Sequence, residues 1–128
     1  MPEETDWVES NDRQAICRML AQLFVHWKLT DDECLAVLGL LPEDHAVLAR
    51  FRNCDPMALS PGSLERAGHL LGIHKNLRRL FPENRELAYG WMKTNNLAFD
   101  GKTPINAISE KGLAGLLAVR AYLDAASE

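Results

Sequence analysis

The sequence is poor in the features that staple, metallate or anchor a chain. It holds three cysteines, Cys17, Cys34 and Cys54, among 128 residues. The number is odd, the spacings are long and no C-x-x-C pair occurs. That argues against a disulfide framework or a thiolate zinc site and fits a reducing compartment. His69 and His74 are five apart, on different sides of a helix, whereas metal pairs favour spacings of three or four. No apolar run approaches the roughly 20 residues that span a bilayer. The opening Met1-Pro2-Glu3-Glu4-Thr5-Asp6 is acidic, unlike a secretory signal, so a cytoplasmic location is expected. Positive charge is also short: 14 Lys and Arg face 18 Asp and Glu, a net charge of −4. Binding to phosphate backbones by bulk charge is therefore disfavoured. Strict alternation of β-branched residues is missing, and with it any strand. There is no Gly-x-Ser-x-Gly, P-loop or dinucleotide fingerprint, and no carboxylate pair drawn into a cleft. The expectation is a non-enzymatic protein with no catalytic residue, cofactor or metal.

What is present is helical periodicity. The hydrophobic share is 47% and the charged share 25%, ordinary for a globular chain. At this length a chain buries roughly two-thirds of its unfolded surface, enough to fold without staples. Ala15, Ile16, Met19, Leu20, Leu23, Phe24 and Trp27 recur at threes and fours, predicting a helix from Asp12 to Lys28 capped by Ser10 or Asn11. Thr30-Asp31-Asp32-Glu33 has capping-box spacing, and Gly39 closes the helix it opens. Pro42 then opens a third helix running to Arg52. Asn53 to Gly62, with Pro56 and Pro61, reads as a joint between two packed parts. Further helices follow over Ser63–Leu80, which Phe81-Pro82 ends, and over Asn84–Thr94, with Leu87, Ala88, Trp91 and Met92 inward. Asn95 to Thr103 is a turn, Thr103-Pro104 caps a short helical turn to Ile108, and Ser109-Glu110 opens the last helix. That helix is apolar at Leu113, Leu116, Leu117, Val119, Ala121, Tyr122 and Leu123. Apolar residues on more than one side need a second surface to bury them.

Residues 30–52 have the layout of a helix-turn-helix unit, whose second helix presents its first residues to DNA bases. That helix would expose Glu43, Asp44, His45, Leu48 and Arg52, and the residues assigned to DNA are Thr30, His45, Arg50 and Arg52. Two consecutive carboxylates repel the phosphate backbone, although acidic residues suit any helix start. The basic cluster Lys75, Arg78, Arg79 and Arg85 reads as a solvated helix face, and Cys34 as a small core residue.

The run Leu70-Leu71-Gly72-Ile73-His74-Lys75-Asn76-Leu77-Arg78-Arg79-Leu80-Phe81-Pro82 resembles the start of the Xre/MbcA/ParS-type antitoxin toxin-binding domain. Trp91-Met92, Asn95-Asn96-Leu97-Ala98-Phe99 and Gly101-Lys102-Thr103-Pro104-Ile105 resemble its middle, and Gly112-Leu113 to Leu123 its end. The likeness spans roughly Leu64 to Ala125, with Asn95-Asn96 standing where the family often has proline. It implies an all-α antitoxin of a type II toxin–antitoxin pair. Residues 1–55 would be an Xre-like helix-turn-helix and dimerisation region, and residues 63–128 the toxin-binding domain. The implied partners are a RES-domain toxin that destroys NAD⁺, promoter DNA and a second copy of the chain, with no membrane. The residues implied in toxin binding are Trp91, Asn96, Phe99, Gly101, Thr103, Pro104, Arg120, Tyr122, Asp124 and Glu128. The rival reading is a stand-alone helix-turn-helix transcriptional regulator with no toxin.

Overall fold

The computed structural model describes residues 10–127, and among these it contains seven α-helices and no strand, as the all-α expectation required. They are α1 (Ser10–His26), α2 (Asp31–Leu38), α3 (His45–Arg52), α4 (Pro61–Leu80), α5 (Arg85–Gly90), α6 (Pro104–Lys111) and α7 (Leu113–Ala126). Short 3-10 turns at Pro56–Ala58, Trp91–Lys93 and Leu97–Phe99 join them. The acidic opening, the side chains of Ser10 and Asn11, and Glu128 lie outside what is described.

The stripe on α1 buries Leu20, Leu23, Phe24 and Trp27 and adds Cys17. Ala15 and Met19 face outward instead, because a stripe centred on Leu20 and Phe24 leaves those positions on the opposite shoulder. The helix stops at His26 rather than Lys28. Lys28 turns left-handed at φ 57, and the N–H groups of Lys28 and Leu29 bond back to Val25 and Phe24 carbonyls, 3.0 Å each. Both halves of the Thr30 capping box form. The Glu33 N–H donates to Thr30 Oγ1 at 3.2 Å and the Thr30 N–H to Glu33 Oε1 at 2.8 Å. Gly39 closes α2 at φ 73, with the Arg66 guanidinium filling the space a β-carbon would take.

Several boundaries differ from the sequence reading, each for a local reason. Pro42 does not open α3. The Asp44 carboxylate accepts the Leu41 N–H at 2.8 Å, closing a turn, and the helix begins only at His45. Leu48 is buried at 2% exposure, not displayed, because it seals α3 onto the core beside Phe51. Helix α4 starts at Pro61 rather than Ser63: Ser60 caps it, accepting the Ser63 N–H at 3.1 Å, and Pro61 occupies the first turn. Ala88 on α5 and Met92 in the 3-10 turn after it form the inner line, so Leu87 points outward at 53% exposure. Helix α6 runs to Lys111, and the chain breaks at Gly112 (φ 60, ψ −133), a conformation that side chains disfavour, before α7 begins at Leu113.

One hydrophobic cluster runs through both halves, from Cys17 and Leu20 on α1 to Val119 and Leu123 on α7. Its centre is α4, which packs on α7, α2 and α1 through Ala67, Leu70, Ile73 and Leu77. Polar ties cross between the halves as well. Ser63 Oγ donates to the Leu38 carbonyl at 2.8 Å and Lys93 meets Glu33 at 3.0 Å, while Arg13 ties α1 to the joint through the Leu59 carbonyl at 2.6 Å.

Candidate functional site

The residues singled out in the C-terminal half converge on one end of α7. Trp91 enters from the turn after α5, Phe99 from the turn before α6, and Tyr122 from α7. Their ring centroids form a triangle with sides of 6.3, 6.0 and 5.7 Å, Trp91 stacked on Tyr122 and Phe99 edge-on to both. Such geometries satisfy the ring quadrupoles and bind the three segments together. The triangle is not sealed: Trp91 and Phe99 are half-buried and Tyr122 is 42% exposed. Beside it Phe99, Ala107, Ala118 and Tyr122 line a groove of about 230 Å³, rimmed by Lys102, Glu110 and Lys111.

Asn96 to Lys102 forms a tight loop. The Asn96 N–H donates to the Lys102 carbonyl and the Gly101 N–H to the Asn96 carbonyl, 3.0 Å each. The Asn96 side chain accepts the Ala98 N–H at 2.9 Å. Asp100 and Gly101 take left-handed backbone, φ 58 and 78, which lets the chain reverse within so few residues. At the base Lys102 pairs with Glu110 at 2.8 Å, which holds the amine above its ordinary range.

This separates the expected contact residues into two groups. Trp91, Phe99 and Tyr122 present ring surface. Asn96, Gly101, Thr103 and Pro104 shape the backbone: Thr103 caps α6 by accepting the Asn106 N–H at 3.0 Å, and Pro104 is buried in its first turn. Arg120 and Asp124 belong to a polar seam between α7 and α4. Asp124 accepts from the buried Asn76 at 2.7 Å, and Arg120 lies over Gly72 with a guanidinium nitrogen 3.1 Å from His69 Nδ1. Glu128 lies outside the described residues.

Sequence reasoning missed part of the face. Leu116, Val119 and Leu123 bury one side of α7. On the other side Ala114, Leu117, Ala118, Ala121, Tyr122 and Ala125 are all exposed, an uncharged stripe at helical spacing. The expectation that this helix is apolar on more than one side is met. The alanines were visible as a threes-and-fours pattern but carry too little hydrophobicity to stand out. Leu97, at 94% exposure on the loop, enters the sequence reading only as a member of the Asn95–Phe99 run and not as a contact residue.

In the N-terminal half, His45 and Arg50 of α3 are exposed. Thr30 is occupied as the α2 cap, and Arg52 reaches back to Asp31 at 2.7 Å, which raises its already high pKa. Cys34 is core, 2% exposed. Among the described residues no cluster of His, Cys, Asp or Glu suits a metal ion, and no helix is long and apolar enough to cross a membrane.

Comparison with known proteins bears on the same end of the molecule. Residues 76–128 match the model of the antitoxin Xre/MbcA/ParS C-terminal toxin-binding domain. The match covers the triangle, the loop and α7, and leaves out the Leu70–Lys75 run. A protein of Sinorhizobium fredii, "Uncharacterized protein y4oB", is 29% identical over 99 residues, spanning 77% of this chain and 74% of its own. No solved structure matches.

Proposed function

We propose, because residues 76–128 match the antitoxin Xre/MbcA/ParS C-terminal toxin-binding domain, that the protein neutralises a RES-domain, NAD⁺-degrading toxin by covering its active site. The observation that carries this reading is the uncharged outer face of α7, continuous with the open Trp91–Phe99–Tyr122 triangle. A partner surface that buries such a face excludes water, and aromatic rings provide rigid anchor area. Inhibition on this reading is steric and needs no chemistry from the antitoxin. Arg120 and Asp124, held in the α4–α7 seam, position α7 and offer their outer atoms to the toxin's rim.

Autoregulation through promoter DNA is the weaker part of the proposal. Of the four residues assigned to DNA, His45 and Arg50 remain available, while Thr30 and Arg52 are engaged in holding α2. Asp44 stands at the N-cap of α3 with its carboxylate turned to the Leu41 N–H. Homodimerisation through the N-terminal half would place two α3 helices on one operator.

The test is co-expression with the product of the neighbouring gene, followed by affinity capture and native mass spectrometry. A stoichiometric complex, with growth and cellular NAD⁺ restored, is expected. In the same assay Tyr122→Ala and Trp91→Ala should each weaken the complex by roughly five- to 30-fold, about 1–2 kcal/mol. No complex and no rescue would remove the reading.

A further inference from the structure

We infer that Leu97 is an anchor of the toxin interface, an apolar knob that seats in an apolar hole on the partner. The inference rests on the toxin-binding reading above. Scattered apolar residues are common on protein surfaces and by themselves mean nothing. Three observations set this one apart.

Leu97 is the most exposed of the large apolar side chains among the described residues, at 94%. Val25 and Met57, the next most exposed, lie outside the segment that matches the toxin-binding domain. Its loop is closed on itself by hydrogen bonds within the chain. The Asp100 N–H bonds to the Leu97 carbonyl at 3.2 Å, the Phe99 N–H to the Asn96 carbonyl at 3.0 Å, and Lys102 is tied to Glu110. A side chain presented on an ordered backbone loses less entropy on binding than one on a mobile loop. That offsets the general scarcity of leucine among interface hot spots. Finally, its position is continuous with the aromatic face. Phe99, two residues on in the same 3-10 turn, packs edge-on to Trp91 and Tyr122, so the turn that carries Leu97 adjoins the triangle. The run Asn95 to Phe99 carries no charge, and the nearby Lys102 is paired. The hole that takes Leu97 itself is therefore apolar and large enough for a leucine side chain, while exposed Asp100 on the same loop disfavours a phosphate-bearing partner.

The experiment compares the full chain with Leu97→Asp, Leu97→Met and Tyr122→Ala by calorimetry against the neighbouring gene's product. Leu97→Asp should weaken binding by about 30-fold or more with no change in melting temperature, since nothing in the core touches it. Leu97→Met should stay within about threefold, being apolar and of similar volume. If the wild type and Tyr122→Ala differ while Leu97→Asp binds like wild type, the inference falls and the antitoxin reading stands. If the wild type does not bind, the underlying reading fails and takes the inference with it. A second readout places an environment-sensitive dye on Leu97→Cys in a Cys54→Ser background. Emission should shift to the blue on complex formation, and unchanged emission would overturn the seating of this residue.

Discussion

A single methyl group at Gly115 tests the packing that supports the proposed interface. Helices α6 and α7 cross there. A β-carbon on Gly115 would stand 2.3 Å from the Ala107 carbonyl oxygen, 2.8 Å from its carbon and 3.0 Å from Ile108 Cα. All three are backbone atoms, so no side chain can rotate away. Restoring ordinary contact moves one helix by roughly an ångström, and such overpacking costs about 1–3 kcal/mol. Against this, alanine favours a helix over glycine by about 1 kcal/mol. The net expectation for Gly115→Ala is a change between no gain and a loss of about 2 kcal/mol, a fall of up to roughly 8 °C in melting temperature for a domain of this size. Gly68 supplies the control: it is exposed on α4 with nothing within 4 Å of its would-be β-carbon. Gly68→Ala should raise the melting temperature by up to a few degrees, with a gain of about 1 kcal/mol at most. Calorimetric melts of both variants beside the wild type decide the matter. If Gly115→Ala is as stabilising as Gly68→Ala, the close crossing is not present in solution. Tyr122 lies on the helix that would shift, so Gly115→Ala should also weaken the proposed partner binding.

Three further outcomes follow from named contacts. Asp124→Ala leaves the buried Asn76 amide without its acceptor and should cost about 1–3 kcal/mol in urea melts; a loss below half of that would place the Asn76 amide in contact with water. At Glu33 burial pushes the carboxyl up, but the Thr30 N–H and Lys93 outweigh it and hold the pKa below its ordinary 4.5. A depressed carboxyl stabilises the fold above the unfolded-state value and stops doing so as pH falls through the folded one. The stability gap between wild type and Glu33→Gln should therefore be full at pH 6–7 and close below about pH 4.5, and a gap independent of pH would refute the ion pair. Burial, with Cys54 and Asp55 nearby, pushes the Cys17 thiol up to about 11, and Cys34 is raised by burial too. Iodoacetamide at pH 8 should mark Cys54 first, the one cysteine that is not fully buried, as mass mapping will show.

The sequence by itself determined the helical class, the capping box at Thr30, the glycine stop at Gly39 and the likeness of the C-terminal part to the antitoxin toxin-binding domain. Each is local information: a period, a short-range hydrogen bond, a glycine conformation or a string of residues in order. It also carried the three aromatic residues of the triangle, through their place in that string. What it did not carry depends on which neighbour competes for a group. Asp44 bonds to Leu41 and delays α3, Arg52 turns to Asp31, and Arg120 and Asp124 are drawn into the seam with α4. Periodicity identifies which residues are apolar, but only the packed partner decides which side they face. Leu48 therefore became core and Leu87 surface. Leu97 shows the limit best: only the closed loop of Asn96 and Lys102 makes it a knob, because exposure belongs to the fold and not to the residue type.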